Sequence, residues 1–266
     1  MKKYKIVVKI GTSTLTAGTT KISRGKIEDI AKQLEKLKTQ YDIVIVSSGA
    51  IATARQFVNM EGWGNSVPSK QAMSAIGQPK LMQIYSEVFS DFNLKIAQCL
   101  MTYKDFDNDV SRANTTNTIN ELLLNNYIPI INENDTTAVE ELILGDNDKL
   151  SALVATLIDA EKLIIVSDID GLFDKNPKLY ADAVLIPEIS DLQAIDKYIE
   201  EKDNGLGTGG MTSKIAAIKI CFRKNITVYI VNGAKPGFIE DSLNGKMKFT
   251  KFIPPAEQLP IATWSE

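Results

Sequence analysis

Residues 4–47 begin with Tyr4-Lys5-Ile6-Val7-Val8-Lys9-Ile10, pass through Ile27–Lys38 (IEDIAKQLEKLK) and reach Ile43-Val44-Ile45-Val46-Ser47. Two β-branched runs of strand length flank a stretch whose apolar residues Ile27, Ile30, Leu34 and Leu37 recur at helical spacing. The pattern continues along the chain. Ile96–Leu100, Ile128–Ile131, Leu163–Val166 and Thr227–Val231 read as further buried strands. Lys70–Phe89, Arg112–Asn125, Lys149–Asp159 and Met211–Arg223 read as helices between them. Such alternation predicts an α/β fold with three layers, a mostly parallel central sheet covered on both faces by helices. In sheets of this kind ligands sit beyond the carboxyl ends of the strands.

At 266 residues the chain is long enough for one large α/β unit. No linker rich in Pro, Gly or Ser interrupts it, and residues 1–266 are expected to form a single domain. A mild boundary near residue 160 divides an acceptor-side half from a nucleotide-side half, 161–266. Asn125-Asn126 reads as a helix stop, and Ala138–Leu144 as half of a hairpin.

Composition removes several kinds of chemistry. The chain contains no histidine, so Ser-His-Asp and Cys-His catalysis and His-ligated zinc are excluded. Thirty Lys and Arg stand against 33 Asp and Glu, a net charge of -3 without a long run of one sign. Nucleic acid and anionic membranes are therefore not expected partners. Cys99 and Cys221 lie far apart in apolar stretches, as buried thiols of a reducing compartment do. With no apolar run of membrane-span length and a start that leads directly into a strand, the expected location is cytoplasmic.

Chemistry is expected at the strand ends. Lys9-Ile10-Gly11-Thr12-Ser13 joins a lysine to a glycine turn whose free amides suit phosphate, although a lysine flanking a strand for solubility looks the same. Val46-Ser47-Ser48-Gly49-Ala50-Ile51-Ala52 is a strand-to-helix turn suited to an anion, or a helix capped by Ser48. Asn132-Glu133-Asn134-Asp135 and Gly145-Asp146-Asn147-Asp148 put four acidic groups and three amides in two turns. They suit an ammonium group, catalytic lysines or Mg²⁺, or serve as Asx turns. Ser167-Asp168-Ile169-Asp170-Gly171-Leu172-Phe173 follows the fifth strand, a natural place for a nucleotide edge or ribose contact, although alone it reads first as a plain turn.

Gly205-Leu206-Gly207-Thr208-Gly209-Gly210-Met211-Thr212-Ser213-Lys214 opens with the spacing G-x-G-x-x-G. The preceding Asp196–Asn204 is highly charged and lacks the buried strand of a dinucleotide site, and Met211 stands where a P-loop needs lysine. What remains is a glycine-rich flexible loop entering a helix whose first turn is expected to carry Lys214, a phosphate-binding arrangement of its own kind, or else a disordered surface loop.

These segments, in this order, resemble the amino-acid kinase family. The signature stretches are VVKIGTS at Val7–Ser13, VSSGAIA at Val46–Ala52, SKQAMSAIGQPKLM at Ser69–Met82, INENDT at Ile131–Thr136, GDNDKLSA at Gly145–Ala152 and GLGTGGMTSK at Gly205–Lys214. The resemblance is strongest to the branch that phosphorylates the side-chain carboxylate of glutamate at the start of proline synthesis. It implies that Lys9 and Lys214 stabilise the phosphoryl group and that Asp148 holds them. It implies glutamate binding by Ser48, Gly49, Asn132, Asp135 and Asn147. ATP would meet Lys9, Gly11, Ser167, Asp168 and Thr208-Gly209-Gly210-Met211-Thr212-Ser213-Lys214. Mg²⁺ would be bound mainly through the ATP phosphates, with no protein ligand assigned. The resemblance also implies inhibition by proline and a homo-oligomer, a dimer or tetramer. Many relatives carry a C-terminal PUA domain, which a chain ending at Glu266 is not expected to hold.

Rival acceptors within the fold are acetylglutamate, aspartate, carbamate and uridylate. A non-catalytic amino-acid-binding module could lose Lys9, Asp148 or Lys214, and all three are present. A dehydrogenase would need its glycine fingerprint after a buried strand.

Overall fold

The computed structural model describes residues 3–138, 147–177, 179–191 and 209–255. Its strands are β1 Tyr4–Ile10, β2 Tyr41–Ser47, β3 Lys95–Met101, β4 Tyr127–Glu133, β5 Lys162–Ser167, β6 Glu188–Ile189, β7 Thr227–Asn232 and β8 Thr250–Phe252. The helices are α1 Thr12–Leu15, α2 Arg24–Leu37, α3 Ala50–Ala54, α4 Val67–Ser90, α5 Asp109–Leu124, α6 Asp148–Leu157, α7 Gly209–Phe222 and α8 Phe238–Leu243. All six strands and five helices expected from the sequence are present, with ends moved by a few residues.

The strands form one eight-stranded sheet in the order β3-β4-β2-β1-β5-β7-β8-β6. Every pairing is parallel except β7 with β8. Period-2 alternation sorts the side chains of β1 to the two faces. Ile6, Val8 and Ile10 enter a core with Ile27, Ile30 and Leu34 of α2, Leu81 and Tyr85 of α4 and Phe238 of α8. Val7 enters the opposite core, with Ile119 of α5, Leu150 and Val154 of α6 and Ile218 of α7. Helices thus cover both faces, as the alternation predicts.

Helix boundaries follow local chemistry. Ser23 and Ser66 cap α2 and α4 by accepting from Lys26 N and Ser69 N, and Asn108 caps α5 by accepting from Val110 N and Ser111 N. Asn93, Asn126 and Asn225 adopt positive φ just past α4, α5 and α7, where asparagine tolerates the left-handed turn that ends a helix. Pro79 lies inside α4 without ending it.

Three expectations need correction. Ser48 is not a helix cap: Gly49, at φ 110°, occupies that position and makes no side-chain cap, while the Ser48 hydroxyl accepts from Asn147. Lys214 falls in the second turn of α7, because the helix already begins at Gly209. Cys221 is buried, with its thiol pushed up to about 12 by burial, but Cys99 is only half-buried. The additional α1, α3, α8, β6 and β8 are too short to show a period. Most of the expected Ala138–Leu144 hairpin half lies outside the described residues.

Candidate active site

Parallel register brings the carboxyl ends of four strands to one edge. Ile10 of β1 sits beside Ser47 of β2 and Val166 of β5, and Val46 of β2 beside Ile131 of β4. The residues that follow these positions therefore meet.

Lys9 shares the sheet face of Val7, which turns it toward α6 and α7. Its ammonium lies 2.6 Å from Asp148 Oδ1, and Lys214 Nζ lies 3.0 Å from Asp148 Oδ2. Asp148 is the first residue of α6, where the helix dipole favours a negative charge, and it is fully buried. Ser213 Oγ also donates to Asp148 Oδ2 at 3.0 Å, and Lys214 Nζ to the Gly210 carbonyl at 3.0 Å. Burial pushes the Asp148 carboxyl up, but the charges and hydrogen bonds of Lys9 and Lys214 outweigh it and hold the carboxyl below its ordinary range. The result is a buried Lys9–Asp148–Lys214 bridge between β1, α6 and α7.

Each lysine head borders a glycine backbone. A Cβ at Gly11 would lie 3.5 Å from Lys9 Nζ, and one at Gly210 3.9 Å from Lys214 Nζ. A methyl group there would touch the ammonium groups at ordinary contact distance, so the glycines leave the lysine heads open on that side.

A second network lies on the other side of β1, at the ends of β2 and β4. Asn147 Nδ2 donates to Asn132 Oδ1 at 2.8 Å and Ser48 Oγ at 3.1 Å, with a longer contact to the Ser47 carbonyl. Asn132 Nδ2 donates to Gln78 Oε1 at 2.9 Å. Ser74 Oγ donates a short bond to Asp135 Oδ2. Burial raises the Asp135 carboxyl above its ordinary range, and the Ser74 hydroxyl opposes that rise. Asp135 Oδ1 and Asn147 Oδ1 are buried acceptors without a hydrogen-bond partner among the described residues. Two such acceptors in adjoining turns have capacity for a donor that the described residues do not supply.

On the β5 side, Ser167 is buried at the strand end and its hydroxyl donates to Asp168 at 3.4 Å. Asp170 accepts from Asn232 Nδ2 at 2.8 Å and pairs with Lys235 at 2.8 Å. Burial pushes the Asp170 carboxyl up, but bonds from Lys235 and Asn232 hold it below its ordinary range. Met211 packs on the core and Thr212 is exposed. Thr208 lies outside the described residues.

Lys9, Asp148 and Lys214 therefore come together, as do Ser48, Asn132 and Asn147. Ser74 and Gln78 were assigned no role by the sequence, although they lie one turn apart on α4 within a quoted signature stretch. Two polar residues at i and i+4 amid buried positions were the available signal. Gly77 between them allows close packing, since a Cβ there would lie 1.8 Å from the Ala50 carbonyl oxygen of α3.

A model of the amino acid kinase family matches residues 4–232. The chain is similar to glutamate 5-kinase of Vibrio campbellii, with 41% identity over 256 residues, 96% of this chain and 68% of that protein. It is also similar to glutamate 5-kinase 2 of Bacillus licheniformis, with 39% identity over 257 residues, 96% of this chain and 69% of that protein. Among solved structures it resembles carbamate kinase from Giardia lamblia bound to AMP-PNP, at TM-score 0.68 and 17% identity, covering 94% of this chain and 98% of that one. UMP kinase from Ureaplasma parvum aligns at TM-score 0.64 and 20% identity, over 95% and 100% of the two chains. At those identities the structures show the fold alone.

Proposed function

The chain belongs to the amino acid kinase family and, within it, to the glutamate 5-kinases, and from that premise we propose that it transfers the γ-phosphoryl group of ATP to the side-chain carboxylate of L-glutamate, opening proline synthesis. The observation that carries the reading is the buried Lys9–Asp148–Lys214 bridge beside the unpartnered acceptors of Asp135 and Asn147.

In this reading the acceptor's ammonium group donates to Asp135 Oδ1 and Asn147 Oδ1, with Ser48, Gly49 and Asn132 completing the pocket. A glutamate side chain is already ionised at neutral pH, so it needs no general base, in keeping with a chain without histidine. One of its oxygens forms a bond to the γ-phosphorus as the bridge to the β-phosphate breaks. ADP leaves, and an acyl phosphate remains. Lys9 and Lys214 meet the charge on the transferring oxygens, which is where phosphoryl transfer gains most of its catalysis. Asp148, ionised and held between them, aligns the lysines and is not a base.

The nucleotide lies in this account over Gly11, the start of α7 from Gly209 to Lys214, and Ser167 and Asp168, so that residues 161–266 supply most of the nucleotide side and 1–160 the acceptor side together with Lys9 and Gly11. Among the described residues no group of three His, Cys, Asp or Glu side chains is placed to hold a metal ion, and Asp148 already faces two lysines. In this reading Mg²⁺ would be carried mainly by the ATP phosphates, where a divalent ion would supply neutralising charge. A uridylate acceptor would call for basic groups where Asn132, Glu133 and Asp135 stand.

Among the described residues no helix is long and apolar enough to cross a membrane. A cytoplasmic homo-oligomer, dimer or tetramer, inhibited by proline, belongs to the same reading. Sedimentation and proline titration test those two properties.

The test of the reaction is ADP release with hydroxylamine present, offering glutamate, acetylglutamate, aspartate, carbamate or uridylate separately. Hydroxamate formed with glutamate alone is the expected result. ADP release with only another acceptor would overturn the assignment.

A further inference from the structure

α4 crosses beneath the acceptor pocket with one face made of Ser74, Gly77 and Gln78, spaced so that all three point the same way. Ser74 and Gln78 are both buried in the middle of a helix that otherwise packs apolar residues on the sheet. Buried polar side chains are kept where they have partners, and each of these has one in the pocket. The Ser74 hydroxyl donates to Asp135 Oδ2, and Gln78 Oε1 accepts from Asn132 Nδ2 at 2.9 Å. Asn132 in turn accepts from Asn147, which also donates to Ser48. Gly77, between Ser74 and Gln78, packs α4 closely on α3, where a Cβ would lie 1.8 Å from the Ala50 carbonyl oxygen.

The consequence lies in which atoms remain free. Asp135 has two carboxylate oxygens, and Ser74 occupies one of them. Oδ1 is left without a partner among the described residues. A carboxylate held by one oxygen presents the other in a direction that the bond from α4 helps to set. The same holds for Asn147: its amide nitrogen is tied to Asn132 and Ser48, and its Oδ1 is left open.

We propose that Ser74 and Gln78 are positioning residues that aim the open oxygens of Asp135 and Asn147 at the acceptor's ammonium group, so that α4 sets the preference for an acceptor with a free amine. Neither side chain needs to touch the substrate. The inference rests on the glutamate kinase reading above and adds to it the elements that confer amine selectivity.

The experiment compares wild type, Ser74→Ala, Ser74→Cys and Gln78→Met with glutamate and with glutarate, which has the same two carboxylates and no amine. Ser74→Ala removes a hydrogen bond to a charged group and is expected to raise the glutamate KM about 10- to 100-fold. kcat and the KM for ATP should move less than about twofold, since the lysine bridge is untouched. The glutamate-to-glutarate ratio of kcat/KM should fall by the same factor as glutamate KM rises. Ser74→Cys, a near-isosteric and weaker donor, should lie between, and it replaces Ser74→Ala if that variant does not fold. Gln78→Met should act in the same direction through Asn132. In an Asp135→Asn background, Ser74→Ala should add little, because the carboxylate it aims is gone.

An unchanged glutamate-to-glutarate ratio in an active Ser74 variant overturns the inference and leaves the kinase reading intact. So does an equal loss with both acceptors, or an undiminished effect in the Asp135→Asn background. If wild type itself makes no hydroxamate from glutamate, the kinase reading fails first and the inference with it.

Discussion

Asp148→Asn changes two atoms' chemistry and almost no volume, and it acts on the one group that binds both catalytic lysines. The carboxylate is fully buried, with Lys9 at 2.6 Å and Lys214 at 3.0 Å on separate oxygens. The amide keeps one acceptor but sets an NH₂ donor against the other ammonium, leaving a buried cation without a counter-charge. Removing one partner of a buried ion pair costs about 3–5 kcal/mol. At roughly 2–4 °C per kcal/mol for a chain of this size, the melting temperature should fall by about 6–20 °C. Misplacing two charge-stabilising donors should lower kcat by about 10²–10³, the scale of one lost oxyanion donor or more. Glutamate KM should change little, because the acceptor network does not run through the Asp148 side chain. The wild-type carboxyl is held below its ordinary range, so its stabilisation is present above the unfolded-state pKa and is lost as pH falls through the lowered folded value. Asp148→Asn should accordingly be less sensitive to acid than wild type. Calorimetry and steady-state kinetics read both effects. A variant that melts within about 1 °C of wild type and keeps its kcat within about threefold would refute the bridge as the organising element.

Lys9→Ala and Lys214→Ala should each reduce turnover by about 10²–10³, equivalent to about 3–4 kcal/mol of transition-state stabilisation, measured as ADP release at saturating substrates. Asp135→Ala should raise the glutamate KM with a smaller change in kcat, because the ammonium group loses its buried charged partner; calorimetric titration with glutamate checks it. Burial raises the Asp135 carboxyl, so glutamate KM should rise as pH falls through that raised value, at a higher pH than an ordinary carboxylate would impose. The stability contribution of the same group has the opposite sign, since protonation relieves its burial. Gly77→Ala puts a methyl 1.8 Å from the Ala50 carbonyl oxygen, which must force α3 and α4 apart at a cost of about 1–3 kcal/mol. A thermal melt should show the loss, and an unchanged melt would mean that the crossing can relax.

Much of the fold was legible because buried strands and amphipathic helices carry their periods locally. Val7 and Val8 lie on opposite sheet faces by alternation alone, and Ile27, Ile30 and Leu34 mark one face of α2 before any partner is known. The glycine turn after Lys9 and the acidic turns after β4 were visible as chemistry at strand ends. What the sequence did not show is pairing across space. That Asp148 holds both Lys9 and Lys214 came from the family resemblance and not from period or spacing, because it depends on the parallel register of β1 with β5 and on the approach of α7 to α6, separations of 139 and 66 residues for the two ion pairs. Ser74 and Gln78 were hidden for the same reason, since their partners Asp135 and Asn132 lie 61 and 54 residues away. Strands of two or three residues, β6 and β8, carry too few positions to display alternation.

The most direct test follows oxygen rather than activity. L-Glutamate labelled with oxygen-18 in both side-chain oxygens is incubated with unlabelled ATP, Mg²⁺, hydroxylamine and the protein, and the inorganic phosphate released is weighed by mass spectrometry. If a side-chain oxygen attacks the γ-phosphorus, it becomes the bridge of the acyl phosphate and leaves with phosphate when hydroxylamine takes the acyl group. The account predicts one oxygen-18 atom in each phosphate released with hydroxamate, and none when the label is in the α-carboxylate. Unlabelled phosphate accompanying ADP would mean hydrolysis of ATP by water and would contradict transfer to glutamate.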